Sequence, residues 1–94
     1  MRVAATIRSR LTAAFEPERL DLVDESARHV GHAGARPEGE SHFRLEIVAE
    51  AFAGKGRLER QRLVYAALGE LMQGEVHALS ISALTPEEAR SRQR

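Results

Sequence analysis

The segment SHFRLEIVAE, residues 41–50, alternates apolar and polar side chains, and this alternation constrains the fold more than any other feature of the chain. The apolar positions are Phe43, Leu45 and Ile47, and the polar positions are His42, Arg44 and Glu46. Because successive side chains of a strand point to opposite faces, the pattern predicts a strand that buries one face and exposes the other. Such a strand belongs to a sheet whose apolar face is covered by another layer.

The residues before this strand predict a helix and a first strand. The helix would bury apolar residues that recur every three or four positions: Val3, Ile7, Leu11, Ala14 and Phe15. Pro17 ends this helix. In the segment RLDLVDES, residues 19–26, Leu20 and Leu22 alternate with their neighbours and indicate a short strand.

The residues after the alternating segment predict a second helix and a third strand. The helix follows the turn Gly54-Lys55-Gly56 and ends at Gly74. Its buried side is predicted to consist of Leu63, Val64, Ala67, Leu68, Leu71 and Met72. The segment EVHALSISAL, residues 75–84, alternates again and indicates the third strand.

The segment TPEEARSRQR predicts a capped final helical turn followed by a frayed tail. Thr85 is placed to cap the helix, Pro86 to occupy its first position and Glu88 to complete a capping box. The element order is thus α-β-β-α-β, with a short final helix. It predicts one α+β domain over residues 1–94, with a core between about 3 and 84, and a three-stranded mixed sheet with helices on one face.

Composition excludes several classes of function. The chain has no cysteine, so disulfides, thiolate nucleophiles and all-cysteine metal sites are ruled out. Its 14 basic and 14 acidic residues cancel, which argues against a free-standing nucleic-acid binder. No membrane segment or secretory signal is recognisable, so a cytoplasmic location is expected. No catalytic triad can be assembled from the sequence, so we predict no enzymatic activity and no small-molecule substrate.

The segment HVGHAGARPEGESHF, residues 29–43, raises three interpretations: a metal-binding loop, a phosphate-binding loop or a flexible hairpin connection. His29 and His32 have a spacing compatible with a metal, but this spacing is also common by chance. A dinucleotide fingerprint is excluded because the glycines lack the required spacing and lead into a strand. From the residues alone, the loop stays open between a metal site and a flexible connection.

Two other features could bind ligands. His77 lies at the beginning of the third strand with the parity of Leu79 and Ile81, where a structural histidine is the commoner interpretation. A basic group at the turn and the start of the second helix could contact a phosphate backbone, although a solvated helix face is the slightly favoured interpretation. This group consists of Lys55, Arg57, Arg60 and Arg62.

Several segments together resemble the BolA family. They are DESARH, ESHFRLEIV, RQRLVYAAL and VHALSISALTPEE, in an order and spacing typical of that family, and the resemblance extends from Ile7 to Glu88. It implies a fold similar to the class II KH domain. It also implies pairing with a monothiol glutaredoxin, a shared [2Fe–2S] cluster, and a role in iron–sulfur cluster trafficking, iron homeostasis or stress response. Some bacterial members are described as DNA-binding regulators.

The resemblance also implies the cluster ligands. His77 matches the histidine of the VHAL motif, and His29 or the nearby His32 supplies the second imidazole from the loop. Because this chain lacks cysteine, the thiolates would come from the glutaredoxin and its glutathione, and the isolated chain would hold no cluster tightly. Imidazole ligation makes such a cluster sensitive to pH.

The chain departs from the family pattern at two places. Gln61 replaces the histidine of the usual R-H-R motif, which puts in doubt any contact that this histidine makes with a partner. The turn Gly54-Lys55-Gly56 differs from the G-x-x-G clamp of nucleic-acid-binding KH domains, which argues against RNA binding by that route. An independent zinc site at His29, His32 and His42 is the weakest hypothesis, because His42 lies on the outer face of its strand.

Overall fold

The structure, a computed structural model, describes residues 2–25, 42–74, 76 and 78–92. The elements that lie wholly within these ranges are three α-helices, three strands and two 3-10 turns. The helices are α1 (Arg2–Phe15), α2 (Arg57–Leu68) and α3 (Pro86–Arg92); the strands are β1 (Arg19–Asp24), β2 (His42–Val48) and β3 (Ala78–Leu84); the 3-10 turns are Glu50–Phe52 and Gly69–Gln73. The predicted α+β class and element order are confirmed.

The three strands form one mixed sheet in the order β1-β2-β3. Strands β1 and β2 are antiparallel, and Leu22 pairs with Leu45. Strands β2 and β3 are parallel, and Leu45 pairs with Ile81 on its other side. Parallel neighbours need a crossover connection, which α2 supplies in agreement with the sequence.

The core lies between the apolar face of the sheet and helices α1 and α2. Phe43, Leu45 and Ile47 are buried in the middle strand, as their alternation predicts. They belong to one cluster with apolar residues of the two helices, among them Ile7, Leu11, Val64 and Leu68. Burial of these side chains supplies the main driving force for folding.

Helix α2 is shorter than the sequence predicts. It ends at Leu68 instead of continuing to Gly74, because Gly69 adopts a φ of 56° that breaks the helical path. The following 3-10 turn redirects the chain, and the Val76 N–H donates to the Leu71 carbonyl at 2.9 Å. Leu71 and Val76 are both buried in the core.

Two features of the core differ from the expected pattern. Ala14 is exposed, because the buried stripe of α1 continues from Leu11 to the half-buried Phe15. The 3-10 turn after β2 was not predicted, and it places Phe52 in the core with none of its surface exposed. The rings of Phe15 and Phe52 lie 5.0 Å apart in a tilted arrangement, which favours their packing.

Helix α3 confirms the predicted capping box and is longer than the single turn expected from the sequence. The Glu88 N–H donates to the Thr85 hydroxyl at 3.1 Å, and the Thr85 N–H donates to the Glu88 carboxylate at 2.9 Å. The helix continues to Arg92, and basic Arg90 and Arg92 in its last turn complement its dipole.

Removing the Thr85 hydroxyl should destabilise the chain measurably. The Thr85→Ala variant leaves the Glu88 N–H without its acceptor, and we expect a loss of about 1 kcal/mol in the free energy of unfolding. Urea unfolding followed by circular dichroism measures this loss. Thr85→Ser, which keeps the hydroxyl, serves as the control and should stay within a few tenths of a kcal/mol of the parent chain. Equal loss in both variants would show that the hydroxyl does not cap the helix.

Candidate functional site

The segments that contain His29, His32 and His77 are connected to strands at the same end of the sheet. We call this the loop end, defined by Asp24, His42 and Ala78. Strand β1 finishes at Asp24, one register step from His42, where β2 begins. His42 in turn pairs with Ala78, the first residue of β3. All three strands therefore have a terminus at the loop end.

The three candidate cluster ligands, His29, His32 and His77, lie outside the described residues. In the sequence, residue 77 stands between Val76, which is buried, and Ala78, which is paired in the sheet. Residues 29 and 32 belong to the segment that joins β1 to β2, and both of these strands have termini at the loop end. The connectivity thus attaches both histidine-bearing segments to the same end of the sheet.

His42 is exposed at the loop end on the outer face of β2. Nearby, Arg44 lies 3.6 Å from the Glu25 carboxylate, so this part of the surface carries both signs of charge. Within the described ranges, no group of three or more His, Cys, Asp or Glu side chains could hold a metal ion. The zinc hypothesis needs His29 and His32 as well, and these fall outside those ranges.

The outer face of the sheet is mostly polar, with Val23 as an exposed apolar residue on β1. Arg19 lies 2.6 Å from the Asp21 carboxylate of its own strand and 3.1 Å from the Glu46 carboxylate of β2. Both contacts are solvent-exposed, so their contribution to stability is small. The only phenylalanine, tyrosine or tryptophan of the three strands is Phe43, which is buried on the opposite face. The described strands therefore offer no such aromatic side chain on the outer face for stacking nucleic-acid bases.

The basic group predicted at the turn and the start of α2 divides into two parts. Arg57 and Arg62 are exposed, and Lys55 is partly exposed beside them. Arg60 has only 13% of its side chain exposed and is engaged within the fold. It donates to the Lys55 carbonyl at 2.8 Å and to the Ala83 carbonyl at 2.9 Å. Three of the four cations thus face solvent, while Arg60 connects the turn to β3.

Arg60 also forms a two-point contact with Glu88 of α3. Its two terminal nitrogens lie 2.6 and 3.3 Å from the two carboxylate oxygens. The hydrogen bonds from Arg60 and from the Thr85 N–H lower the pKa of Glu88 from 4.5 to about 2. The sequence predicts Glu88 as part of the capping box. It does not predict the contact with Arg60, because the two residues lie 28 positions apart.

The Arg60–Glu88 contact makes part of the stability depend on pH. Because folding lowers the Glu88 pKa, the carboxylate stabilises the fold above pH 4.5, and this contribution is lost as the pH falls towards about 2. Glu88→Gln removes the charge but keeps a side chain that completes a capping box. We expect its thermal midpoint to lie below that of the parent chain at neutral pH, and the difference to vanish near pH 2. A difference that does not change with pH would contradict this assignment.

A second exposed contact joins α1 to the end of α2. Arg10 donates to the Leu68 carbonyl at 2.8 Å and to the Glu70 carboxylate at 2.6 Å. The hydrogen bond from Arg10 lowers the pKa of Glu70 to about 2. Arg10 therefore satisfies one of the carbonyls left unpaired where α2 stops. Its role is structural, and it lies on none of the ligand-binding surfaces described above.

The fold and the sequence both match a known family. The model of the BolA-like protein family matches residues 11–88, which is most of the chain. The chain belongs to the BolA family. The chain is 40% identical in sequence to the solved BolA domain of SufE1 from Arabidopsis thaliana, and the two structures superpose with a TM-score of 0.81. That match covers 94% of this chain and 96% of the solved domain.

Two further relatives match most of the chain. BolA-like protein 1 of Homo sapiens is 48% identical over 88 residues, covering 94% of this chain and 61% of the human protein. The DNA-binding transcriptional regulator BolA of Escherichia coli strain K12 is 40% identical over 88 residues, covering 94% of this chain and 80% of the regulator. The chain thus spans about three fifths of the length of its mammalian relatives. No helix among the described residues is long and apolar enough to cross a membrane.

Proposed function

We propose that this chain pairs with a monothiol glutaredoxin and carries a [2Fe–2S] cluster as shared cargo in iron–sulfur cluster trafficking. The observation that carries the proposal is the convergence of strand termini at the loop end. The segment containing His29 and His32 and the segment containing His77 both join the sheet there. This arrangement supports the proposal that two imidazoles from distant parts of the sequence serve one cluster.

The donor chemistry of the chain supports a shared cluster. It has four histidines and no cysteine, so it can offer imidazole nitrogens but no thiolate sulfur. A [2Fe–2S] cluster held by two imidazoles on one iron and two thiolates on the other has a precedent in Rieske centres. In our proposal, His77 and either His29 or His32 supply the nitrogens. The glutaredoxin cysteine and a bound glutathione supply the sulfurs.

Imidazole ligation would give the carrier a means of release. Protonation of a histidine removes its lone pair from the metal, and a histidine titrates nearer to neutral pH than most side chains. The cluster would accordingly be held less firmly as the pH falls. In this proposal the chain is a binding partner and not an enzyme, since its residues position the cluster and transform no substrate.

Native mass spectrometry tests the proposed complex directly. A monothiol glutaredoxin reconstituted with iron, sulfide and glutathione is mixed with this chain. The proposal requires a heterodimer whose mass includes one [2Fe–2S] unit and one glutathione. If the glutaredoxin stays a cluster-bridged homodimer at every mixing ratio, the carrier function is wrong for this chain.

A second function has a specific observation in its favour. The Escherichia coli relative is named a DNA-binding transcriptional regulator, and Lys55, Arg57 and Arg62 lie at least partly exposed near the start of α2. In this alternative the three cations contact the phosphates of duplex DNA. Affinity would then fall with a log–log salt slope of about −0.9 for each phosphate neutralised, so up to about −2.7 for three contacts. Absence of duplex binding at low salt would eliminate it.

A further inference from the structure

A groove separates α2 from β3 on the side of the sheet away from β1. Its volume is about 530 Å³, and it extends from the turn before α2 to the last helix. Its lining includes Arg57 and Gln61 from α2, residues 81–84 from β3, and Arg92 from α3. The groove lies along the half of β3 that is remote from the loop end, so it is separate from the proposed cluster site.

The backbone of β3 offers unpaired hydrogen-bonding groups to this groove. Among the described residues, β3 is an edge strand with β2 as its only neighbour in the sheet. The Leu84 carbonyl faces β2, since it accepts from the Ala49 N–H at 2.9 Å. The Ala83 carbonyl points the other way and accepts from Arg60 at 2.9 Å.

The direction of these two carbonyls fixes the direction of the others. Backbone groups of successive strand residues alternate between the two edges, so the N–H and C=O of Ile81 point to the same side as those of Ala83. Arg60 takes only the Ala83 carbonyl. The Ile81 N–H and C=O and the Ala83 N–H consequently face the groove as a short template for another strand.

The side chains around the groove favour an acidic ligand. Four cations and one carboxylate line it, and the carboxylate, Glu88, is already engaged by Arg60. The remaining cations give the groove an excess of positive charge beside the edge of β3; they are Lys55, Arg57 and Arg92. The contact of Glu88 with Arg60 shows that a carboxylate fits against the cations of this groove.

We propose that the groove binds an acidic peptide segment of a partner protein, in extended conformation, as an added strand on β3. Main-chain hydrogen bonds to Ile81 and Ala83 would supply affinity, and Lys55, Arg57 and Arg92 would select acidic side chains. A single-stranded nucleic acid fits less well, because none of the residues that line the groove is aromatic and bases would have nothing to stack on. This inference does not depend on the cluster-carrier function.

Titration of the isotopically labelled chain with a synthetic peptide tests the proposal by NMR. The probe is an end-blocked hexapeptide in which aspartate and valine alternate. We expect the amide signals of Ile81 and Ala83 to shift and their hydrogen exchange to slow. Methylating alternate backbone nitrogens of the peptide should weaken binding by about tenfold, since it removes the main-chain donors. Equal affinity of the methylated peptide, or no change at Ile81 and Ala83, would overturn the proposal.

A matched pair of charge reversals tests the role of the groove cations. Arg57→Glu reverses a charge that lines the groove, whereas Arg62→Glu makes the same change on α2 at a residue that does not line it. Both side chains are exposed, so both variants should fold. The peptide should bind several-fold more weakly to the first variant than to the second. Equal weakening would refute the groove as the site, as would an oligonucleotide that displaces the peptide at Ile81 and Ala83.

Discussion

The His77→Ala variant should lose the shared cluster in complex with a monothiol glutaredoxin. Removing a metal ligand eliminates one of the two nitrogens that this chain offers to the cluster in our proposal. Loss of a residue that merely orients a ligand already costs about 10–100-fold in metal affinity, and loss of the ligand itself should cost more. Visible circular dichroism of the reconstituted pair measures the effect, because the heterodimer and the glutaredoxin homodimer place the cluster in different surroundings.

His42→Ala is the matched control for this experiment. It removes an imidazole that is exposed at the same end of the sheet but has no assigned role in cluster binding. The control should keep the spectrum of the parent complex. The same assay applied to His29→Ala and His32→Ala identifies the loop ligand as the one whose loss abolishes the spectrum. If His77→Ala and His42→Ala both retain the spectrum, His77 is not a ligand.

The Phe52→Ala variant should be the most destabilised of the single substitutions considered for the fold. The side chain has none of its surface exposed and packs against Phe15 at a centroid distance of 5.0 Å. Truncation of a buried phenylalanine costs about 3–5 kcal/mol, which is a large share of the about 5–15 kcal/mol that stabilises a typical domain. The urea midpoint should fall by about a fifth or more, as measured by far-ultraviolet circular dichroism.

Leu58→Ala provides the comparison for this stability measurement. Leu58 also belongs to an apolar residue type, but 60% of its surface is exposed on α2. We expect a change within about 0.5 kcal/mol, as is usual for surface positions. Comparable losses in the two variants would mean that the turn Glu50–Phe52 does not contribute to the core as the structure places it.

Much of the fold could be predicted because short-range patterns determine it. The alternation of Phe43, Leu45 and Ile47 identifies the central strand and its buried face. The spacing of apolar residues identifies α1, and the Thr85–Glu88 pair identifies the start of α3. In each case the signal depends on residues that are close in sequence, where the geometry of a helix or strand dictates which side chains are neighbours.

Other parts of the fold depend on contacts that the sequence does not display. Gly69 ends α2, but a glycine within an apolar helical pattern is often tolerated, so the sequence predicts a helix that continues to Gly74. Phe52 is buried by a 3-10 turn of only three residues, which is too short to leave a periodic signal. The Arg60–Glu88 contact and the groove beside β3 arise only when α2, β3 and α3 meet in the folded chain.

The candidate residues of the site were identified from the family resemblance, whereas the sheet register bears on their arrangement. His77, His29 and His32 are identified as candidate ligands by the resemblance to the BolA family. The local sequence alone does not identify them, because a histidine ligand has no distinctive local pattern. The sheet register shows that the strands flanking these segments have neighbouring ends, since His42 pairs with Ala78 at the loop end. From the sequence, Arg60 is indistinguishable from the other cations of the basic group. In the structure it donates hydrogen bonds to the backbone carbonyls of Lys55 and Ala83.

Pulsed electron paramagnetic resonance of the reduced cluster tests the central claim most directly. This chain is prepared with ¹⁵N-labelled histidine, and the glutaredoxin and glutathione are left unlabelled. The proposal predicts hyperfine coupling from ¹⁵N nuclei bound to the cluster iron, which can originate only from this chain. A reduced heterodimer whose cluster shows no coupling to ¹⁵N would mean that this chain does not ligate it, and that the sulfur ligands of the glutaredoxin side hold the cluster alone.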